Sequence, residues 1–475
     1  MILASTAPDV MGLRHHEQKL LGELWREWAA RFPRNRLRRQ YLDSKQETRH
    51  LGIAVPPILE DLEVAIGLPE LAVEGMAARI NWDGIVSPSN SEDPFELSEL
   101  LDDNRFDIEF PQAVRSSLGQ SVAFISTTLG DVASGEPKVK QMPHSALWSA
   151  GLWDRVRRGL RGFISIDNVD DLGRPTSFTM ISPEAITHCR TAGAGWFVEA
   201  TGRNPLGYVT VEALPHAPTL DEPLGAARVN RRVMNLTDRA VRAILRLEVH
   251  SELFSAPKFL LMGADESTFM DPNTGKPIPL WNWYMTRMNA IPTDEEGELP
   301  TIEQIAQQSP TPHIESLRTI YSQFSGETKV PLNSLGIVQD NPPSAEGLYA
   351  MKEDLVILCS NFIRVATGTL NRSQQTAILL RDGRTELTPE MRQISQRFRN
   401  PAIPSVVSQS DAIVKQVSAI PELALSDVIL EELGYTEEQI TRIRADIKRN
   451  QGSRLAREVI DAAKARGVTG ANISG

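Results

Sequence analysis

Between residues 121 and 214 the chain is cut into short stretches of branched and aromatic residues, each ended by Gly, Pro, Asp or Asn, and this constrains the fold more than any other feature. Runs of six to eight such residues suit a pleated, half-buried strand better than a helix. The stretches 121–127, 162–167, 176–181, 186–191, 196–201 and 207–214 therefore predict an antiparallel meander. Asp170-Asp171-Leu172-Gly173 and Gly193-Ala194-Gly195 supply hairpin turns from residues that tolerate positive φ.

On both sides of the meander the apolar period changes to three and four residues. In 17–32, Leu20, Leu21, Leu24, Trp25, Trp28 and Phe32 share one helical face, and Pro33 is expected to close the helix. The run 53–68 predicts a turn at Pro56 and Pro57, then a helix that Gly67 and Pro69 end. Acidic residues crowd 92–109, read as a solvated helix followed by a loop. After Pro223, the residues Val233, Leu236, Ala240, Ile244, Leu247, Ser251 and Phe254 mark a helix of about six turns that Pro257 stops. Next come a strand-like piece, 258–263, and a polar excursion, 271–312, holding Trp281, Trp283 and Tyr284. A shorter helix over 313–324 leads into a loop with Pro331, Asn333, Gly336 and Pro342-Pro343. A third long helix, 344–365, aligns Leu348, Met351, Leu355, Leu358, Phe362 and Val365, with Ser344 as N-cap. From 374 on, helices are expected with breaks at Pro401, Pro404, Pro421 and Gly434. The fold class is α+β.

Composition narrows the function. At 475 residues the chain suggests about three structural units. No window approaches the roughly 20 apolar residues of a membrane span, so no membrane is expected. The first eleven residues do not have the pattern of a secretory signal, and folding in a cytoplasm is the expectation. A net charge of −11 argues against a protein that wraps nucleic acid by neutralising its phosphates. Cys189 and Cys359 stand in unlike segments and read as buried apolar residues.

No chemistry emerges from the spacing. Gly275-Lys276 is followed by Pro277, which offers neither the hydroxyl nor the N–H of a phosphate-binding loop. His15-His16 are adjacent instead of at the i,i+4 spacing that puts two imidazoles on one face for zinc. Asp167, Asp170 and Asp171 read as a hairpin turn in preference to a two-metal nuclease site. Hence no catalytic residue, metal or cofactor is expected. One charge pattern stays open: Arg228, Arg232, Arg239, Arg242 and Arg246 form a basic stripe that suits a solvated face or a surface against a neighbouring subunit or DNA.

The order of these parts resembles a known family, the portal proteins of tailed bacteriophages, in particular the large siphophage group common in phages of actinobacteria. The helix beginning Asn235-Leu-Thr-Asp-Arg-Ala and running to Ser255-Ala-Pro-Lys resembles a family segment in which a helix ends at a small residue and Pro before a strand. The run Asp340-Asn-Pro-Pro-Ser-Ala-Glu-Gly resembles the family's NPxSAEA lead into a helix, with Gly347 where Ala is usual. Phe398-Arg-Asn-Pro, Ser408-Gln-Ser-Asp-Ala, Ile420-Pro-Glu-Leu and Leu433-Gly-Tyr-Thr-Glu-Glu-Gln-Ile resemble its closing segment.

The resemblance implies a portal fold in a ring of identical subunits, normally about twelve, at one vertex of the virion head. In it, 1–227 would be the wing, 228–257 a stem helix, 258–311 the clip and 312–325 a second stem helix. Residues 326–343 would be the tunnel loop, 344–400 a wing helix region and 401–475 a helical crown. Implied partners are the major capsid protein, the head-tail adaptor, the terminase packaging motor and double-stranded DNA passing without sequence specificity. Lys329, Asn333, Gln339, Asp340 and Asn341 would face DNA, and Trp281, Trp283 and Tyr284 would form the clip interface. About twelve such chains carry roughly −130 formal charges, and an acidic lining would disfavour sticking while leaving only weak, sequence-blind contacts to DNA. The rival readings are a capsid-associated metal-dependent nuclease or another head-completion or minor capsid protein.

Overall fold

The computed structural model describes residues 6–46, 64–87, 93–254 apart from 194, 258–262, 270, 276–277, 301–337 apart from 307, 345–402 and parts of 406–449. Residues 1–401 form one compact unit and 402–475 a second. The first is α+β, as the sequence predicts.

The meander exists, but it is divided between two sheets. One sheet has the order β1-β9-β8-β7-β6-β5, with β1 Val10–Met11, β5 Ser149–Asp154, β6 Gly159–Val169, β7 Pro175–Ile181, β8 Ala185–Ala192 and β9 Gly195–Arg203. Strands β5 to β9 pair antiparallel in succession, while β1 lies parallel to β9. The outermost predicted strands instead join β4 Val139–Ser145 in a three-stranded sheet, β10-β3-β4, with β3 Val122–Leu129 and β10 Val211–Pro215. Length alone could not separate the sheets; β3 is buried along most of its run and so needs cover on both faces.

Helix α1, His15–Leu42, lays Leu21, Leu24, Trp25, Trp28 and Phe32 on the six-stranded sheet, against Ile164, Phe178 and Met180. It runs through Pro33 instead of ending there. The proline forfeits one backbone hydrogen bond, a cost of about 3 kcal/mol, but the turns beyond it are anchored. Asn35 Nδ2 donates to Ala146 O at 2.9 Å, Arg38 Nη1 to Gln120 O at 3.0 Å and Tyr41 Oη to Asp238 Oδ1 at 2.9 Å. Likewise Gly67 and Pro69 open α2, Leu68–Ala77, in place of ending a helix, because a first-turn proline has no intrahelical N–H to lose.

The acidic stretch expected to finish as a loop is helical on both sides of residue 104: α3 Leu97–Asp103 and α4 Phe106–Gln120. Phe106 and Phe110 are buried, so apolar period overrides the charge around them. Helix α4 packs on the three-stranded sheet with α7, Ala345–Asp382, whose Leu355, Phe362, Ala366 and Leu370 share that core. Helix α7 outruns the expected 344–365 because its buried face continues through Ala377 and Ile378. The sequence reading also lacks β2 Trp82–Val86 and β13 Ser395–Phe398, which pair antiparallel with each other. Both cysteines are buried.

In the second unit, α8 spans Val406–Ala419 and a further helical run covers 439–449. No described helix is long and apolar enough to cross a membrane.

Candidate functional site

Of the residues singled out from the sequence, Arg232, Arg239, Arg242 and Arg246 lie on one of two packed helices that are joined through a two-stranded ribbon. Helix α5, Arg231–Phe254, packs against α6, Thr311–Thr328, burying Val233, Leu236, Ala240 and Ala243 on Ile320 and Phe324, with Leu68 and Ala72 of α2 closing the cluster. Between the helices the chain leaves along β11 Lys258–Met262 and returns along β12 Thr301–Ile305, two antiparallel strands paired from Lys258↔Ile305 to Met262↔Thr301. The ends of the excursion are therefore adjacent, and β12 lies where the sequence suggested only a polar segment.

The basic stripe divides. Arg228 leaves it altogether: it is 8% exposed, ahead of α5, and its Nε donates to Ala72 O at 2.7 Å and its Nη2 to Thr328 O at 2.6 Å. Burial pulls this guanidinium below its ordinary pKa, and no carboxylate pairs with it among the described residues. Thr328 is the last residue of α6, so its carbonyl has no helical partner and accepts from Arg228 instead. Arg232 Nη1 lies 3.2 Å from Glu327 Oε1, and Arg239 Nη1 donates to Gln323 Oε1 at 2.7 Å; both tie α5 to α6. Arg242 is half-buried near Tyr41, whose phenol burial, and then its bond to Asp238, push up to about 12. Arg246 is exposed and makes no ion pair among the described residues.

Beyond α6, Lys329 adopts φ +61° and its Nζ sits 3.1 Å from Asp354 Oδ2 on α7. Lys329 is thus held at the start of the loop, its charge shared with a carboxylate. Asn333 is exposed in a 3-10 turn, Leu332–Leu335, and its carbonyl accepts from Gly336 N at 3.3 Å. Gln339, Asp340 and Asn341, and likewise Trp281, Trp283 and Tyr284, lie outside the described residues.

Elsewhere the acidic turn forms at Asp170 and Asp171, with Asp170 Oδ1 accepting from Leu172 N at 3.0 Å and Arg174 N at 2.7 Å, whereas Asp167 lies in β6 and accepts from the Thr179 hydroxyl at 2.6 Å. His15 and His16 are exposed. Among the described residues no three His, Cys, Asp or Glu side chains gather as metal ligands. Sequence reasoning missed Glu327, Asp354 and Asp238, the carboxylates that fix these helices. The signal was weak, since each is one acid among 61 and its partner lies far along the chain.

No family model matches the chain. It is 25% identical over 385 residues to a portal protein of Mycobacterium phage D29, covering 79% of this chain and 77% of the relative. A portal protein of Mycobacterium phage L5 matches at 25% over 386 residues with the same coverage. Among solved structures, a chain from the neck of an empty GTA particle computed with C6 symmetry aligns at TM-score 0.41 with 12% identity, over 76% of this chain and 89% of that one. The resemblance drawn from the sequence is borne out by the two phage relatives, both from mycobacteriophages.

Proposed function

We infer that this chain is a portal protein of a tailed bacteriophage, a subunit of the ring that forms the DNA gate at one vertex of the virion head. The observation that carries the reading is the match to two portal proteins across about four fifths of the chain. The nuclease alternative is not favoured, and the role is structural.

The finer assignment is a proposal built on the folded elements. Helices α5 and α6 suit a stem: two packed helices whose intervening excursion leaves and returns on adjacent strands, as an inserted clip requires. The loop 326–343 suits a tunnel loop. Its first residues are pinned by Arg228 on Thr328 O and by Lys329 on Asp354, which would keep its root fixed while its tip met DNA. An acidic ring of about twelve copies would let DNA slide through weak, sequence-blind contacts. Trp281, Trp283 and Tyr284 fall in the clip segment, the surface we assign to the packaging motor and later the head-tail adaptor. Residues 1–227 and 344–400 would meet neighbouring copies and the capsid.

Sizing of the purified chain with DNA cleavage assays tests the class. Closed rings of 52.6 kDa subunits with no turnover of duplex DNA in Mg²⁺ or Mn²⁺ are expected. Robust metal-dependent cleavage would favour the nuclease. For the clip, Trp281→Ala with Trp283→Ala should impair motor docking and tail attachment while rings persist; undiminished docking would remove that role.

A further inference from the structure

Two surfaces of the first unit carry opposite charge, one of them around the start of α4. At its N-terminal end, residues 93–109 hold seven acidic residues against one arginine, more than half of the chain's net charge. Glu99, Asp102, Asp103 and Asp107 are exposed and make no ion pair among the described residues. Between Asp107 and Glu109, Ile108 is 56% exposed.

At the other end, Ser121 follows the last turn of α4 and lines a cleft of about 410 Å³ with Arg38, Leu152, Trp153 and Asp221. From this cleft the hairpin between β5 and β6 projects. Its tip, Arg155-Val156-Arg157-Arg158, is fixed by its own backbone: Asp154 Oδ1 accepts from Val156 N at 2.8 Å and Arg157 N at 3.1 Å, and Arg158 turns the chain at φ +54°. Val156 is 92% exposed, with three exposed arginines around it. Arg155 Nη2 reaches Asp221 O at 3.3 Å, tethering the tip to the cleft.

The neighbouring face of α1 adds Arg31, Arg34 and Arg38, spaced by three and four residues, an arrangement of like charges that costs the isolated helix stability. Glu27 takes up Arg31 at 2.5 Å and Glu222 faces Arg38, yet Arg34 has no ion pair among the described residues. The Nε of Arg38 is buried with no hydrogen-bond partner. Burial, then the charges of Arg34 and Arg31, pull Arg38 down to about 10.

We propose that the hairpin tip at 155–158 of one copy docks on the acidic corner of α3 and α4 in the next, Val156 against Ile108 at the centre and the arginines against Asp102, Asp103 and Asp107 around it. This rests on the ring reading above and specifies one of its subunit contacts. An apolar centre with a rim of opposite charges is the usual anatomy of a protein interface. A tip already held by Asp154 loses little freedom on docking. Because the two patches are different surfaces, the contact is head-to-tail, the type that generates rings when the rotation closes.

The test is charge reversal at exposed positions, read by native mass spectrometry of the full chain. Arg155→Glu with Arg157→Glu makes one variant and Asp102→Lys with Asp103→Lys the other; the lysines fall in the last turn of α3, where cations suit the helix. Each variant alone should dissociate at concentrations at least about tenfold higher than the wild-type ring does. Mixed, they should co-assemble in alternation, since every junction then pairs opposite charges, and circular dichroism should show both folded. Normal rings from either variant alone would overturn the docking and leave the ring reading standing, whereas a wild-type chain that never assembles would sink both. If the arginine variant keeps its rings but loses retention of duplex DNA at low salt, the hairpin is a phosphate contact and the proposal is wrong.

Discussion

Replacing Arg228 by Ala should loosen the start of the loop that follows α6 without touching anything exposed. The guanidinium makes two short charge-assisted hydrogen bonds, to Ala72 O and Thr328 O, and its Nη1 lies 3.4 Å from Met76 Sδ. Bonds of this kind contribute about 1.5–3 kcal/mol each. Part is returned because the variant no longer buries an unpaired charge. A net loss of about 3 kcal/mol follows, concentrated where α2 meets the last turn of α6. Hydrogen exchange reads it locally: amides between Phe324 and Val330 should exchange about a hundredfold faster, since each 1.4 kcal/mol is a factor of ten. Arg246→Ala is the control, because that side chain has no ion pair among the described residues. Equal exchange in the two variants would refute the clamp.

Trp28→Ala should destabilise the first unit by about 3–5 kcal/mol, because a fully buried indole is lost with its 3.0 Å bond to Leu147 O; a urea midpoint unchanged from wild type would contradict the packing. Gly225→Ala should abolish soluble expression or lower the melting temperature sharply, since a Cβ there meets His216 O at 2.2 Å and φ is +76°. Acid should weaken the fold between pH 7 and 5. Burial depresses His144 and His216 to about 4, so the unfolded chain binds protons first as pH falls through about 6.5, and stability declines from there. The loss is on the order of 1 kcal/mol per histidine, and His144→Gln should remove about half of it; equal urea midpoints at pH 7 and 5 would exclude the effect.

Helices with a clean apolar face were legible in the sequence. Leu21, Leu24, Trp25, Trp28 and Phe32 are the apolar residues α1 buries on the six-stranded sheet, and the α5 pattern meets α6 at Val233, Leu236 and Ala240. What misled was local chemistry that tertiary contacts override. Pro33 reads as a stop, yet anchors at Asn35, Arg38 and Tyr41 carry the helix past it. Strands β3 and β10 look like parts of one meander with β6 to β9, because strand length and turn residues do not encode which sheet a strand joins. Of the candidate site, the stripe was visible but its division was not. Periodicity places Arg228 and Arg246 alike, while only the distant carbonyls of Ala72 and Thr328 draw Arg228 inside.

The most direct test of the central claim is a two-dimensional class average of the purified full-length chain by electron microscopy. We expect end-on views of a closed ring of identical subunits, about twelve, around an open channel. A folded chain that remains monomeric at micromolar concentration would contradict the assignment.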